Sequence, residues 1–377
     1  MAKSLEMLAN PQTRTRENLL LAEAAAWLHD MGKSDERHVQ KSALDYTGSI
    51  TYNYKTAHLP FVAAYSLDLL NEKVSFEELI KEGMPRNSEK PDKPWLIRTL
   101  GFCHAVAHSE KEEAYFLQKQ TTTNTRLGTP FGYEFEPLAN LLIRLSGLPF
   151  GQIVNRAAFR PVVETAFSEA CGDTRRPNNE VSLWDWSNMV AALFKSALAG
   201  ALLGYKQVPP DMYWRLLSIR FNGSRFIERV SQIPDLLARR KMTTNGLDKV
   251  RQLLEVTYPL GTEIYRDGDG SVFVVPDISD LLTFEDAEKR TLFDRIVYEF
   301  GTGTVKDISL KVNGELIPRI KLDTSRWSRQ GLRVVPEHEH QPVLPISSHI
   351  VGELPIPVDI GQVELWWQNQ SEDICTA

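Results

Sequence analysis

The chain has 377 residues, 42% hydrophobic and 24% charged, enough apolar material for more than one ordinary core. Its formal charge is −6, from 49 acidic and 43 basic residues, which excludes a protein that grips nucleic acid by bulk counterion release; any such contact is local or shared with partner subunits. Three widely spaced cysteines exclude a disulfide scaffold and fit a reducing cytoplasm, and no membrane association is expected. The most apolar stretch, residues 189–203, is too short to span a bilayer and carries Lys195, and the first 15 residues lack the apolar core of a signal peptide.

The first half reads as helical. Residues 17–31, rich in Leu and Ala, open after Thr15 as an N-cap and stop at Gly32 as a C-cap. Further helical patterning covers 59–70, 76–81, 95–108, 135–145, 158–170 and 183–205, with loops at 121–133 and 173–180. At Val208-Pro209-Pro210 the pattern changes. A strand is expected at 214–222, ending in Gly223, then helices at 225–240 and 247–258. Two short strands, 262–266 and 271–275, flank Asp267-Gly268-Asp269-Gly270, whose Asp-Gly steps suit a type I′ turn. A helix at 284–300, a strand at 307–312 and a strand at 316–322 opened by Asn313-Gly314 complete the series. Strand–helix–strand–strand–helix–strand is the order of a ferredoxin-like fold, the architecture of nucleotide-handling palm domains and of many unrelated proteins. The expected class is α+β: an all-helical domain over residues 1–207, then a ferredoxin-like domain over 208–365.

The histidines concentrate the chemistry. Ala26-Trp27-Leu28-His29-Asp30-Met31-Gly32-Lys33 sets an imidazole and a carboxylate side by side at a helix end, a mixture suited to Mg, Mn, Fe or Ni. One carboxylate can bridge two ions about 3.5–4 Å apart, activating water and offsetting charge on a phosphoryl oxygen. Lys33 is placed to pair with a phosphate. A lone His-Asp dipeptide also arises by chance at a helix end; three further histidines shift the balance. His58 heads the stretch 59–70, and His104 and His108 share one helix face at i, i+4. For His108 a structural role stays as open as a ligand role, and His38 lies in a polar stretch. Ordinary HD hydrolases carry a ligand histidine upstream of the His-Asp pair, whereas here no histidine precedes residue 29. Either the site is incomplete or its helices follow a permuted order.

With that order, the chain resembles the large subunit of type III CRISPR effector complexes, whose N-terminal nuclease is a permuted HD domain. The matching pieces are Leu28-His29-Asp30-Met31-Gly32-Lys33, Ala57-His58 at a helix head, and Cys103-His104-Ala105-Val106-Ala107-His108, followed by Ser182-Leu183-Trp184-Asp185-Trp186 leading into Ala191-Ala192-Leu193, and the strand opening at Trp214. The resemblance implies a metal-dependent nuclease that cuts single-stranded DNA. It makes His29, Asp30, His58 and His104 metal ligands, with His108 a further one, and His29, Asp30 and Lys33 the catalytic group around two divalent ions. It also implies partners: other effector subunits, and guide and target RNA held through the complex. Where family members often carry His-His, this chain has Cys103-His104, which leaves the ligand set open at that point.

The second half lacks what a nucleotide-polymerising or cyclising palm needs. Such sites hold two metal ions with carboxylates at the end of the first strand and at the following hairpin. The hairpin offers Asp267 and Asp269, but the strand ends in Arg220-Phe221-Asn222-Gly223, without an acid. Both aspartates read as turn residues, in keeping with the degenerate first palm of the resembled family. In that family a zinc module follows, and Cys375 resembles its first ligand, so residues 366–377 are expected to begin a truncated zinc module. His338 and His340 read as part of a solvated linker, and Arg239-Arg240-Lys241 suits either a helix C-terminus or a nucleic-acid backbone. Two alternatives stand beside the nuclease: an HD phosphohydrolase of small nucleotides, and a non-catalytic scaffold for guide RNA and partner subunits.

Overall fold

The computed structural model describes residues 4–35, 37–38, 56, 59, 64–108, 143, 145–170, 181–302, 318–324 and 326–328. His58, His338, His340, Cys375 and the expected strand at 307–312 lie outside the described residues. The chain is α+β, with two antiparallel sheets, and divides into two compact units. One gathers the described residues of Asn10–Tyr213; the other gathers those of Met1–Ala9, including the single turn α1 (Glu6–Ala9), and Trp214–Trp327.

The first unit is built around α2 (Thr15–Leu28), in which every residue from Leu19 to Leu28 is buried. A helix apolar on all sides has no solvent face to spare and becomes the centre of its domain. Thr15 is its first helical residue rather than its cap; the preceding Arg14 turns the chain with φ 51°. Nor does the helix run to Gly32: it ends at Leu28, and Met31–Ser34 continue as a 3₁₀ turn.

The expectation of an all-helical first half is overturned by a hairpin, β1 (Ser66–Leu69) and β2 (Glu72–Ser75), inside and just beyond the expected helix 59–70. Leu70 and Asn71 both adopt positive φ (57° and 65°), the geometry of a two-residue hairpin turn whose twist matches its strands. Alternate burial of Leu67, Leu69 and Val74 puts one face into the core. Ser75 then caps α3 (Phe76–Glu82), its hydroxyl accepting the Glu78 N–H at 3.1 Å. Glu72 does the same for α4 (Trp95–Ala107), accepting the amides of Trp95 and Leu96 at 3.0 Å each. After α5 (Arg156–Ser168) comes α6 (Leu183–Leu202), opened by a reciprocal Ser182–Asp185 capping box and packed against α2 and α4.

Between α2, α5 and α6 sits a buried ion cluster. Glu23 accepts from Lys195 Nζ at 2.6 Å and from Arg156 at 2.8 and 3.1 Å, with Glu23 and Lys195 fully enclosed. Burial alone would raise the Glu23 carboxyl; Arg156 and Lys195 outweigh it and hold the group down to about 2.

In the second unit β3 (Trp214–Arg220) is followed by α7 (Gly223–Glu228) and α8 (Ile233–Gln252), then β4 (Thr262–Asp267), β5 (Gly270–Pro276), α9 (Leu292–Thr302) and β6 (Arg319–Leu322). The sheet order is β4-β5-β3-β6, every neighbour antiparallel. Central β3 and β5 are almost wholly buried. Three expected helices differ, the first because the one expected at 225–240 is interrupted between the end of α7 at Glu228 and the start of α8 at Ile233. The break expected between residues 240 and 247 is absent: α8 runs through it, because Thr243 and Gly246 are buried and a Cβ at Gly246 would already stand 3.0 Å from the Phe300 ring. The helix expected from residue 284 starts only at Leu292, since Phe284 accepts the Leu292 N–H and Asp286 draws the amides of Glu288 and Arg290 into a turn.

Candidate metal centre

The His-Asp pair stands where α2 stops. Its last turn brings His29 against Ala26, whose carbonyl lies 2.5 Å from His29 Nδ1. A carbonyl only accepts, so Nδ1 carries the proton and Nε2 turns inward with its lone pair. Asp30 follows in the bridge region (φ −99°, ψ 2°), and the 3₁₀ turn stacks residue i+3 over residue i. Lys33 thereby arches over Asp30, its Nζ 2.5 Å from Oδ2.

The last turn of α4 supplies the opposite wall. His104 Nδ1 is 2.7 Å from His29 Nε2, the two rings edge to face. His108, one turn on, stacks parallel to His104 with centroids 4.2 Å apart. Its Nδ1 donates to the His104 carbonyl at 2.9 Å, which turns Nε2 toward Asp30. Around Asp30 Oδ2 stand His29 Nε2 at 3.4 Å, His108 Nε2 at 3.6 Å and His104 Nδ1 at 3.7 Å. All four residues are buried. Burial alone would raise the Asp30 carboxyl; His29, Lys33, His104 and His108 outweigh it and hold it well below the ordinary carboxylate range.

Among the described residues, His29, Asp30 and His104 form the one group of ligating atoms close enough to share a metal ion. Donors bonded at about 2.0–2.2 Å to one ion stand about 3.0 Å apart at right angles and about 3.4 Å apart tetrahedrally. The separations of 2.7 and 3.4 Å from His29 Nε2 fall near these values, and the 3.7 Å between His104 and Asp30 is slightly wide. Two backbone carbonyls fix the outer nitrogens of His29 and His108, the usual support for ligating imidazoles. Two helix C-termini, at Leu28 and Ala107, add partial negative charge. The residues present therefore fit a divalent cation.

His29, Asp30, Lys33, His104 and His108 are thus brought together, while His58 lies outside the described residues. Cys103 packs into the core, fully buried, and burial pushes its thiol well above the ordinary range, which suits packing and not ligation. Trp186, on α6, carries no sequence signal for a role here, yet its ring lies 4.3 Å from His108 and 5.3 Å from Lys33 Nζ. In the second unit, Asp267 pairs with Arg220 at 2.7 Å, and Asp269 accepts the Ser224 N–H at 2.9 Å. Both hairpin aspartates are engaged in local structure.

No family model and no curated protein matches the chain. Solved structures do. Csm1 of T. onnurineus superposes with a TM-score of 0.50 at 16% identity, over 82% of this chain and 45% of that one. A Csm1–Csm4 cassette in complex with pppApApA gives 0.48 at 14% identity, over 84% and 46%, and one in complex with cA4 gives 0.47 at 15%, over 84% and 45%. The chain spans less than half the length of these structures. It has, over that span, the fold of Csm1, the large subunit of type III CRISPR effectors.

Proposed function

We propose that this chain is the nuclease-bearing part of a type III CRISPR effector large subunit, a metal-dependent HD phosphodiesterase that cuts single-stranded DNA. One observation carries the reading: three imidazole nitrogens converge on one buried, ionised carboxylate in a chain with the Csm1 fold. His29, Asp30 and His104 would hold the ion, with His108 beside them and His58 a further ligand from outside the described residues. A divalent ion held there would supply Lewis acidity toward a phosphoryl oxygen and would ease deprotonation of water near neutral pH.

The protein's own groups do the rest. Asp30 stays ionised because four cationic or polarisable neighbours surround it. The Ala26 and His104 carbonyls hold His29 and His108 in tautomers that present Nε2 inward. Lys33, the most exposed of the five residues brought together and within 5.3 Å of the Trp186 ring, would meet a phosphate oxygen. The second unit, with its βαββαβ order, reads as a ferredoxin-like palm domain, residues 208–365. The Arg220–Asp267 ion pair supports a catalytically silent palm, because a guanidinium stands where a metal-binding acid would be needed. Assembly with other effector subunits and with guide and target RNA, in the cytoplasm, follows from the same reading.

Purified protein with Mn²⁺ or Ni²⁺ should cut single-stranded DNA, and Asp30→Ala should reduce cutting to background. Hydrolysis of nucleoside triphosphates or cyclic nucleotides with DNA left intact would instead establish a small-nucleotide phosphohydrolase. Assembly unaffected by His29→Ala, with no ion bound under metal-replete conditions, would establish a scaffold.

A further inference from the structure

Lys33 stands nearer to Asp30 than a residue waiting for substrate needs to. Its Nζ is 2.5 Å from Asp30 Oδ2 and 3.1 Å from His108 Nε2, and its side chain is only 12% exposed. The tautomers agree with this placement. His108 donates through Nδ1 to the His104 carbonyl, so its Nε2 accepts from the ammonium. The Trp186 ring closes the outer side at 5.3 Å, an attractive position for a cation. The ammonium therefore fills the gap between Asp30 and His108, the donors that a second ion beside His29–Asp30–His104 would share.

Charge points the same way. The group of ligating atoms found among the described residues contains one carboxylate, Asp30. Two divalent ions would set a formal charge of +4 against it. One divalent ion and an ammonium bring +3, with the ammonium hydrogen-bonded to the same oxygen.

We propose that Lys33 occupies the second cation position of this centre. The folded protein then takes one divalent ion, at His29, Asp30 and His104, and Lys33 lowers its affinity for that ion by like-charge repulsion. The inference rests on the metal centre proposed above, and it replaces the pair of ions expected from the sequence.

The test is Mn²⁺ binding by the full chain, stripped with a chelator and free of nucleic acid, read by calorimetry and electron paramagnetic resonance. Wild type should bind one Mn²⁺ with the six-line spectrum of an isolated ion. Lys33→Met should bind Mn²⁺ at least about tenfold more tightly, because a nearby positive charge is gone. Lys33→Gln, which keeps a hydrogen-bond donor toward Asp30, guards against a folding defect and should shift affinity the same way. Two ions with an exchange-coupled spectrum in wild type would overturn the inference while leaving the metal centre standing. So would Lys33 variants of unchanged or weaker affinity, since a lysine serving substrate alone leaves metal binding without substrate unaltered. A wild type that binds no Mn²⁺ would overturn both.

Discussion

Replacing Glu23 by Gln removes the carboxylate from the buried cluster and leaves two cations, Lys195 fully enclosed and Arg156 only 9% exposed, facing a neutral amide. Breaking a buried pair in this way costs about 3–5 kcal/mol, because a charge stays desolvated without its partner. The titration of Glu23 gives an independent scale. Its carboxyl falls from 4.5 to about 2 in the folded state, which corresponds to about 3 kcal/mol. For a unit of this size the loss lowers the melting midpoint by roughly 6–20 °C. Because the folded value is depressed, the stabilisation is complete above pH 4.5 and is lost as pH falls toward 2. The gap between wild type and Glu23→Gln should therefore be full at pH 7 and close across that window. Urea and thermal unfolding followed by circular dichroism would measure it, fitting separate transitions where the two units unfold separately. Replacing the pair together, Glu23→Leu with Lys195→Met, should recover much of the loss. A Glu23→Gln penalty below about 1 kcal/mol at pH 7, or a gap that does not shrink in acid, would refute the account of a desolvated, mutually neutralising cluster.

Two further substitutions probe the framework. Gly270→Ala should destabilise the second unit by more than about 2 kcal/mol in urea unfolding, since its φ of +147° is hostile to a side chain and the new Cβ would lie 2.1 Å from the Ile219 carbonyl. Glu72→Gln should cost about 1 kcal/mol in the first unit, because its carboxylate accepts the first two amides of α4; equal stability at pH 7 would show that water caps that helix as well.

The sequence was most informative where one local rule acted alone. The Asp267–Gly270 hairpin falls where its Asp-Gly steps put it, and the Ser182–Asp185 box marks the start of α6. The turn is not the expected type I′, since neither Gly268 nor Asp269 takes positive φ and only Gly270 does, at +147°. The β1–β2 hairpin stayed hidden because its turn places Leu70 at positive φ, where the composition argues for a helix and only Asn71 argues for a turn. The break expected between residues 240 and 247 erred in the opposite direction: α8 runs through it, with Gly246 inside the helix where a Cβ would stand 3.0 Å from the Phe300 ring. Both misreadings have one cause: tertiary contacts set the backbone, and local propensity yields to them.

The centre divides along the same line. His29 and Asp30 share a dipeptide, and His104 and His108 share a helix face, so each half was visible; that the halves meet depends on α2 and α4 ending at one place. Trp186 and Glu23 gave no readable signal, since an aromatic in an amphipathic helix and an acid within a Leu-Ala run each have commoner explanations than the contacts they make. In the second unit the relation reverses. The sequence offered an absence, no acid after β3, whereas the structure supplies a presence, Arg220 locked onto Asp267. An absent ligand can be restored by one substitution. A filled position asks for more, because Arg220→Asp also removes the guanidinium that balances Asp267, and the two carboxylates would repel until a cation offset them.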